Sequence, residues 1–147
     1  MSILELLGEM RGHGGAARTK GLSDDVIKQF SERDERLEVA IREAHALFLQ
    51  LLEDEPELLA MDEVSQIATI QEGYVNFYAH DAVNPYVTLA GNGPWIVSLK
   101  GAVLYDTGGY GMLGFGHNPE KVLENMNQRH VMANIMSPNL SQKYLVD

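Results

Sequence analysis

The sequence predicts an α+β fold: N-terminal helices, then a small antiparallel β-meander or hairpin, then a further helix. Three patterns predict it. Apolar residues recur at helical spacing through residues 26–51. Two short apolar runs flank a turn within residues 95–106, and Pro119 opens a last helical stretch. We therefore expect an arm at residues 1–22, a helical segment at 23–83, a meander plus helix at 84–130, and the start of a connection at 131–147.

The first segment, residues 1–22, is predicted to be a flexible arm. From Gly8 to Gly21 it is rich in glycine and carries Arg11, Arg18 and Lys20. Such a stretch has little apolar surface to bury, so nothing in its composition offsets the entropy of ordering it.

The helical segment begins at Ser23, a good N-cap residue, with Asp24 and Asp25 placed to interact with the helix dipole. The polar run at residues 31–34 leaves open whether one long helix or two shorter ones follow. Pro56 suits the first turn of a further helix, which we expect to end at Gly73. The apolar face of the first part comprises Val26, Phe30, Leu37, Ile41, Ala44, Phe48 and Leu51.

The acidity of the chain is concentrated in the helical segment. The formal net charge is −10, and residues 22–63 contain thirteen acidic and four basic side chains. This charge disfavours binding to nucleic acid. No apolar run is long enough to cross a membrane, and the start lacks a signal-peptide pattern, so we expect a cytoplasmic protein with no membrane partner. There is no cysteine, and the five histidines lack metal-ligand spacing.

A β-hairpin is predicted for residues 95–106. Residues 95–99 and 102–106 form two apolar runs separated by Lys100-Gly101, which we expect to be an exposed two-residue turn. Trp95, Val97 and Leu99 alternate onto one face of the first strand. Val103 and Tyr105 do the same on the second strand.

A glycine-rich stretch follows, with five glycines in residues 108–116. Gly109-x-Gly111-x-x-Gly114 imitates a dinucleotide-binding fingerprint. That fingerprint requires a parallel βαβ unit and a following acidic residue, and both are lacking here. Two interpretations stay open, a tight connection or the wall of a pocket. After it, Asn118 is predicted to cap a helix that begins at Pro119.

Residues 91–126 resemble class III (fold type I) pyridoxal-phosphate-dependent aminotransferases. The similarity consists of a short strand, a Lys-Gly turn, a strand ending in Leu-Tyr-Asp, a glycine-rich stretch and Gly-His-x-Pro before a helix. The spacing of Asn118-Pro119 is one residue tighter than the commonest form. The matching residues are Gly101, Leu104, Tyr105, Asp106, Gly108, Gly109, Gly116, His117, Pro119 and Val122.

The resemblance implies the N-terminal portion of a homodimeric enzyme that moves an amino group from an amine or ω-amino acid to a 2-oxo acid. Pyridoxal 5'-phosphate would be bound mainly by parts of the enzyme absent from this chain, including the catalytic lysine. Residues 131–147 would lead toward a large domain, and the fragment alone would be inactive. One substrate-pocket position is implied here, Tyr110, with Gly109 and Gly111 beside it.

A different class of function is also possible, a stand-alone acidic helical interaction module without catalysis. The two hypotheses differ in the apolar surface they leave uncovered. A fragment should expose Trp95, Ile96 and residues 132–136, because their covering domain is missing. A self-sufficient module should cover them itself and melt cooperatively as a monomer.

Overall fold

The computed structural model describes residues 1–73, 82, 84–107 and 114–127. This part has the predicted mixed α+β architecture, with helices before and after a three-stranded antiparallel sheet. The elements in chain order are α1 Ile3–Arg11, α2 Asp24–Ser31, α3 Glu35–Asp54, α4 Pro56–Ala60, α5 Glu63–Gln71, β1 Thr88–Asn92, β2 Trp95–Ser98, β3 Val103–Tyr105 and α6 Glu120–Met126.

The long helix α3 organises the core. It packs against β1 and β2 on one side and against α1, α2 and α4 elsewhere. Its buried residues follow the helical spacing seen in the sequence, since Leu37, Ile41, Ala44 and Phe48 all lie in the core. Side chains from α1, α2, α4 and the sheet complete the same cluster: Leu6, Leu7, Met10, Ile27, Leu59, Trp95, Val97, Leu99 and Val103.

The prediction of a flexible arm at residues 1–22 is wrong. Residues 3–11 form α1, which starts with a capping box between Ser2 and Glu5 and buries Leu7 and Met10 completely. The rest of the segment is hydrogen-bonded to the body of the protein, for example from the Leu22 amide to the Val103 carbonyl at 2.8 Å. The prediction relied on the glycine content of the segment and overlooked the apolar residues Leu6, Leu7 and Met10, which lie on one face of a helix.

The glycines of this segment permit close backbone contact. A Cβ at Gly21 would lie 2.5 Å from the Val103 nitrogen and 2.6 Å from its oxygen. Any other residue would push the segment away from β3 and break the Leu22–Val103 hydrogen bond. We call residues 12–22 the strap, because they cross the molecule from the end of α1 to the start of α2.

The helical segment is divided more finely than the apolar pattern suggested. Of the two possibilities left open at residues 31–34, the structure shows two helices, with Asp34 capping α3 by accepting a hydrogen bond from the Arg36 amide. Ser23 occupies the N-cap of α2, but its side chain makes no capping bond. Pro56 does start a helix, yet that helix ends at Ala60, and Asp62 caps the separate helix α5.

The predicted hairpin is confirmed, with Trp95 opposite Tyr105 and Val97 opposite Val103. Its loop differs from the prediction. The Ser98 amide donates to the Ala102 carbonyl, which leaves three loop residues, 99–101, with Gly101 at φ +69°. Lys100, expected at the surface, is only 3% exposed. Strand β1 pairs antiparallel with β2 and completes the meander.

The last described helix begins one residue later than predicted. Pro119 occupies the N-cap position of α6, so Asn118 precedes the cap and adopts φ +52°. The left-handed conformation is one that asparagine tolerates better than most residues. None of the α6 side chains is buried, and Met126 is 73% exposed.

Candidate functional site

The predicted substrate residues Gly109, Tyr110 and Gly111 lie outside the described residues. The chain on both sides of them is described, up to Thr107 and again from Gly114. The described part of the candidate site consists of the two flanks of the glycine-rich stretch and the surfaces beside them.

A contact between Asp106 and His117 joins the two flanks. His117 Nε2 lies 2.9 Å from Asp106 Oδ2, with both side chains about three-quarters covered. An ionised carboxylate can only accept, so Nε2 carries the proton and donates it. The two residues are eleven positions apart, and their contact brings together the described flanks of the glycine-rich stretch at the end of β3.

The turn between β1 and β2 fixes His117 from its backbone side. The His117 amide donates to the Gly93 carbonyl at 2.8 Å, and the Gly93 amide donates to the His117 carbonyl at 2.9 Å. A Cβ at Gly116 would lie 2.8 Å from the Gly93 oxygen. Glycine at position 116, which also has φ +78°, is therefore required for this two-way bridge.

Asp34 ties the start of α3 to the sheet near the same place. Its carboxylate accepts from Trp95 Nε1 at 3.0 Å and from Arg36 Nε and Nη2 at 2.8 Å each. Hydrogen bonds from the Arg36 guanidinium are the main reason that the pKa of Asp34 falls from 3.8 to about 2, with a further contribution from Trp95. The Arg36 side chain in turn covers Gly93, where a Cβ would lie 3.0 Å from its Cδ.

A groove of about 920 Å³ opens between α3 and α6, and we call it the α3–α6 groove. His117 lies in its wall, so the Asp106–His117 contact is at the edge of a surface large enough to hold a ligand or a peptide side chain. The groove is lined by Glu35, Arg36, Val39, Glu43, Asn92, Gly93, Phe115, His117, Asn118, Pro119, Glu120, Leu123, Glu124 and Asn127. A separate cavity of about 410 Å³ lies between α5 and residues 84–88.

Lys100 is the one lysine buried within the described ranges, and a buried lysine is the kind of group to which pyridoxal phosphate attaches. Its Nζ donates to the Met61 carbonyl at 2.6 Å and to the His13 carbonyl at 3.3 Å. Burial lowers the pKa of Lys100, whereas the negative charges of Asp62 and Glu63 act in the opposite direction. The ammonium group thus holds the strap against the α4–α5 connection and does not line either cavity. The described residues do not fit a cofactor site.

Glu63, beside Lys100, is a second buried group that the sequence did not single out. Its Oε2 accepts the amide hydrogens of Arg18 and Thr19 at 2.5 and 2.6 Å, while its Oε1 is buried without a partner among the described residues. Glu63 and Lys100 both bind the strap through its backbone. No residue pattern in a single sequence could have indicated these contacts, because the partners are main-chain atoms far away in the chain.

In the part of the chain that the structure describes, no cluster of His, Asp and Glu side chains could hold a metal ion. None of the helices described there is both long and apolar enough to cross a membrane.

Comparisons with family models, with curated proteins and with solved structures find no match to this chain.

Proposed function

We propose that this chain is the N-terminal portion of a pyridoxal-phosphate-dependent class III aminotransferase, inactive by itself. The observation that carries the proposal is the contact between Asp106 and His117. The resemblance consists of two separated parts, Leu104-Tyr105-Asp106 and Gly116-His117-x-Pro119. That contact joins the two parts into one substructure with the antiparallel meander beneath it.

In this proposal the glycine-rich stretch forms part of the wall of the substrate pocket. Tyr110 would donate its phenolic hydrogen to the carboxylate of the substrate, and Gly109 and Gly111 would leave room for the substrate chain. The Asp106–His117 contact and the Gly93–His117 bridge would hold the ends of that wall at a fixed separation. These are positioning roles, and we assign no catalytic residue to this chain.

Bound pyridoxal phosphate would supply the electron sink for amino transfer from an amine or ω-amino acid to a 2-oxo acid. The described residues offer neither a free buried lysine nor a phosphate site, so the proposal assigns the cofactor to later parts of a longer polypeptide. A homodimer in the cytoplasm belongs to the same proposal, by resemblance to the family.

The experiment is an aminotransferase assay on the product of the complete reading frame that contains these residues. We expect transfer from an ω-amino acid to pyruvate that depends on added pyridoxal phosphate. Absence of transfer to pyruvate and to 2-oxoglutarate from a panel of amines and ω-amino acids would contradict the proposal.

A substitution of Tyr110 tests its role in the same enzyme. Tyr110→Phe should raise KM for a carboxylated donor about tenfold, the effect of one lost hydrogen bond to a charged group, and leave KM for a simple amine unchanged. Tyr105→Phe is the matched control, because Tyr105 is 51% exposed and packs its ring against Trp95. Equal effects of the two substitutions would remove Tyr110 from the pocket.

A second candidate, the stand-alone acidic interaction module, is favoured by one observation. Trp95 and Ile96, which a fragment was expected to expose, are only 1% and 6% exposed. The chain covers them itself, in part by the contact of Phe30 with Trp95. Residues 132–136 lie outside the described residues. A cooperative melt of a monomeric 147-residue chain is the result this candidate predicts, and aggregation of the isolated chain would contradict it.

A further inference from the structure

Three exposed apolar side chains line the α3–α6 groove, and we call them its apolar floor. Phe115 is 81% exposed, Leu123 44% and Val39 39%, and all three line the groove. A phenyl ring left this open to water is an unusual feature for a surface with no function, particularly beside two other apolar side chains.

The apolar floor is bordered by acidic side chains in a regular pattern on both walls. On α3, Glu35, Val39 and Glu43 follow one another at intervals of four residues and so share one face. On α6, Glu120 and Glu124 lie one turn apart with Leu123 beside them. Each wall therefore presents an acid, an apolar residue and an acid in succession.

The basic side chains that line the groove are already hydrogen-bonded to aspartates. Arg36 is the one arginine or lysine among the lining residues, and its Nε and Nη2 donate to the Asp34 carboxylate. His117 donates to the Asp106 carboxylate. Within the described part of the chain, no lysine or arginine forms an ion pair with the four glutamates of the groove, and their charges give it a negative field.

We propose that the α3–α6 groove binds a basic peptide segment of a partner protein, in which a bulky apolar side chain is flanked by lysine or arginine. The apolar anchor would cover Phe115 and Leu123, and the flanking cations would meet the glutamates of both walls. This pattern is the complement of the one each wall presents. The proposal is independent of the aminotransferase proposal.

The charge of the whole chain argues against other occupants. A second copy carries the same net charge of −10 and would be repelled from an acidic groove. The phosphates of nucleic acids and the anionic surfaces of membranes are repelled for the same reason. A basic polypeptide segment satisfies both the charge and the apolar floor.

Fluorescence anisotropy of the purified 147-residue chain with a short fluorescein-labelled peptide of leucine and lysine tests the proposal. Glu120→Gln with Glu124→Gln should weaken binding about fivefold, because two exposed and individually weak ion pairs with the peptide are lost. The matched control is Glu53→Gln with Glu57→Gln. It removes the same charge from exposed positions, and Glu53 lies about 15 Å along α3 from Glu43. We expect it to change binding less than twofold.

The apolar floor is tested separately. Phe115→Ala, a substitution outside the helices, should weaken binding of the same peptide about tenfold, and a peptide of alanine and lysine should bind the unmodified chain equally weakly. Two results would overturn the proposal, because both would indicate diffuse attraction of cations. One is an equal loss of affinity in the two double glutamate variants, and the other is undiminished binding of the alanine peptide. So would sedimentation showing that the chain dimerises through Phe115 and thereby excludes the peptide.

Discussion

At the scale of single residues, a few buried polar side chains determine where the connecting segments lie. Asp34 links the α2–α3 connection to Trp95, and Glu63 and Lys100 link the strap to the α4–α5 connection. In each case a charged group is bound by main-chain or side-chain partners, which offsets the cost of removing it from water. Removing any of these side chains leaves its hydrogen-bond partners unsatisfied, which should lower the free energy of unfolding.

The Asp34 carboxylate makes stability depend on acid pH. Its pKa is about 2 in the folded protein and 3.8 ordinarily, so its stabilisation is complete above 3.8 and is lost as the pH falls through about 2. The free energy of unfolding of Asp34→Asn should therefore lie furthest below that of the parent at neutral pH. This difference should shrink as the pH falls below 3.8. Urea unfolding followed by the fluorescence of Trp95, the single tryptophan, measures it. The exposed control Glu53→Gln should stay within about 0.5 kcal/mol of the parent, and a difference for Asp34→Asn that does not change with pH would refute the assignment.

Glu63 should be far more important for stability than its neighbours in the acidic segment. Glu63→Ala leaves the amides of Arg18 and Thr19 without an acceptor, at a cost of about 2–3 kcal/mol in the free energy of unfolding. The exposed residue Glu57 is the control, and Glu57→Ala should stay within about 0.5 kcal/mol of the parent. Urea midpoints compare the two, and amide exchange at Arg18 and Thr19 should accelerate only in Glu63→Ala. Equal midpoints would be contrary to this role.

At the scale of elements, the sequence predicted best where a local pattern decides the structure. The hairpin follows from alternation and a glycine turn and is confirmed, but its register differs by one residue from the predicted two-residue turn, since Trp95 lies opposite Tyr105 and not Asp106. The loop type was mistaken because the Ser98–Ala102 hydrogen bond is not visible in the residue order. Helix α1 was missed because Gly8 and the glycines that follow the helix were interpreted as flexibility, although Leu6, Leu7 and Met10 recur at helical spacing. The strap could not be predicted, since its hydrogen bonds go to distant main-chain atoms.

Two substitutions in α1 test whether it is a docked helix. Leu7 is fully buried, so Leu7→Ala should lower the free energy of unfolding by about 2–5 kcal/mol. Gly8 is exposed with open space around it, so Gly8→Ala should raise the same quantity by about 0.5–1 kcal/mol through helix propensity. Thermal or urea unfolding distinguishes them. A flexible arm, as the composition suggested, would give no effect from either substitution.

At the scale of the whole molecule, the 147 residues combine a core centred on α3 with a groove whose surface is acidic and apolar. Asp106 and His117 were both among the residues that carry the family resemblance. Their contact could not be predicted, because it depends on where the fold places two side chains that are eleven positions apart. Tyr110, with Gly109 and Gly111, stays a prediction, since these residues lie outside the described part. The acidic composition of residues 22–63 indicated a charged surface, but only the fold shows which glutamates border an apolar floor.

The aminotransferase proposal assigns the catalytic lysine to a part of the enzyme outside residues 1–147. Borohydride reduction of the product of the complete reading frame, after incubation with pyridoxal phosphate, tests it most directly when followed by peptide mass spectrometry. We predict a pyridoxyl group fixed stoichiometrically on one lysine C-terminal to Asp147, with loss of the visible absorption band. Absence of any fixed pyridoxyl group would contradict the claim, as would its attachment to a lysine of this chain, namely Lys20, Lys28, Lys100, Lys121 or Lys143.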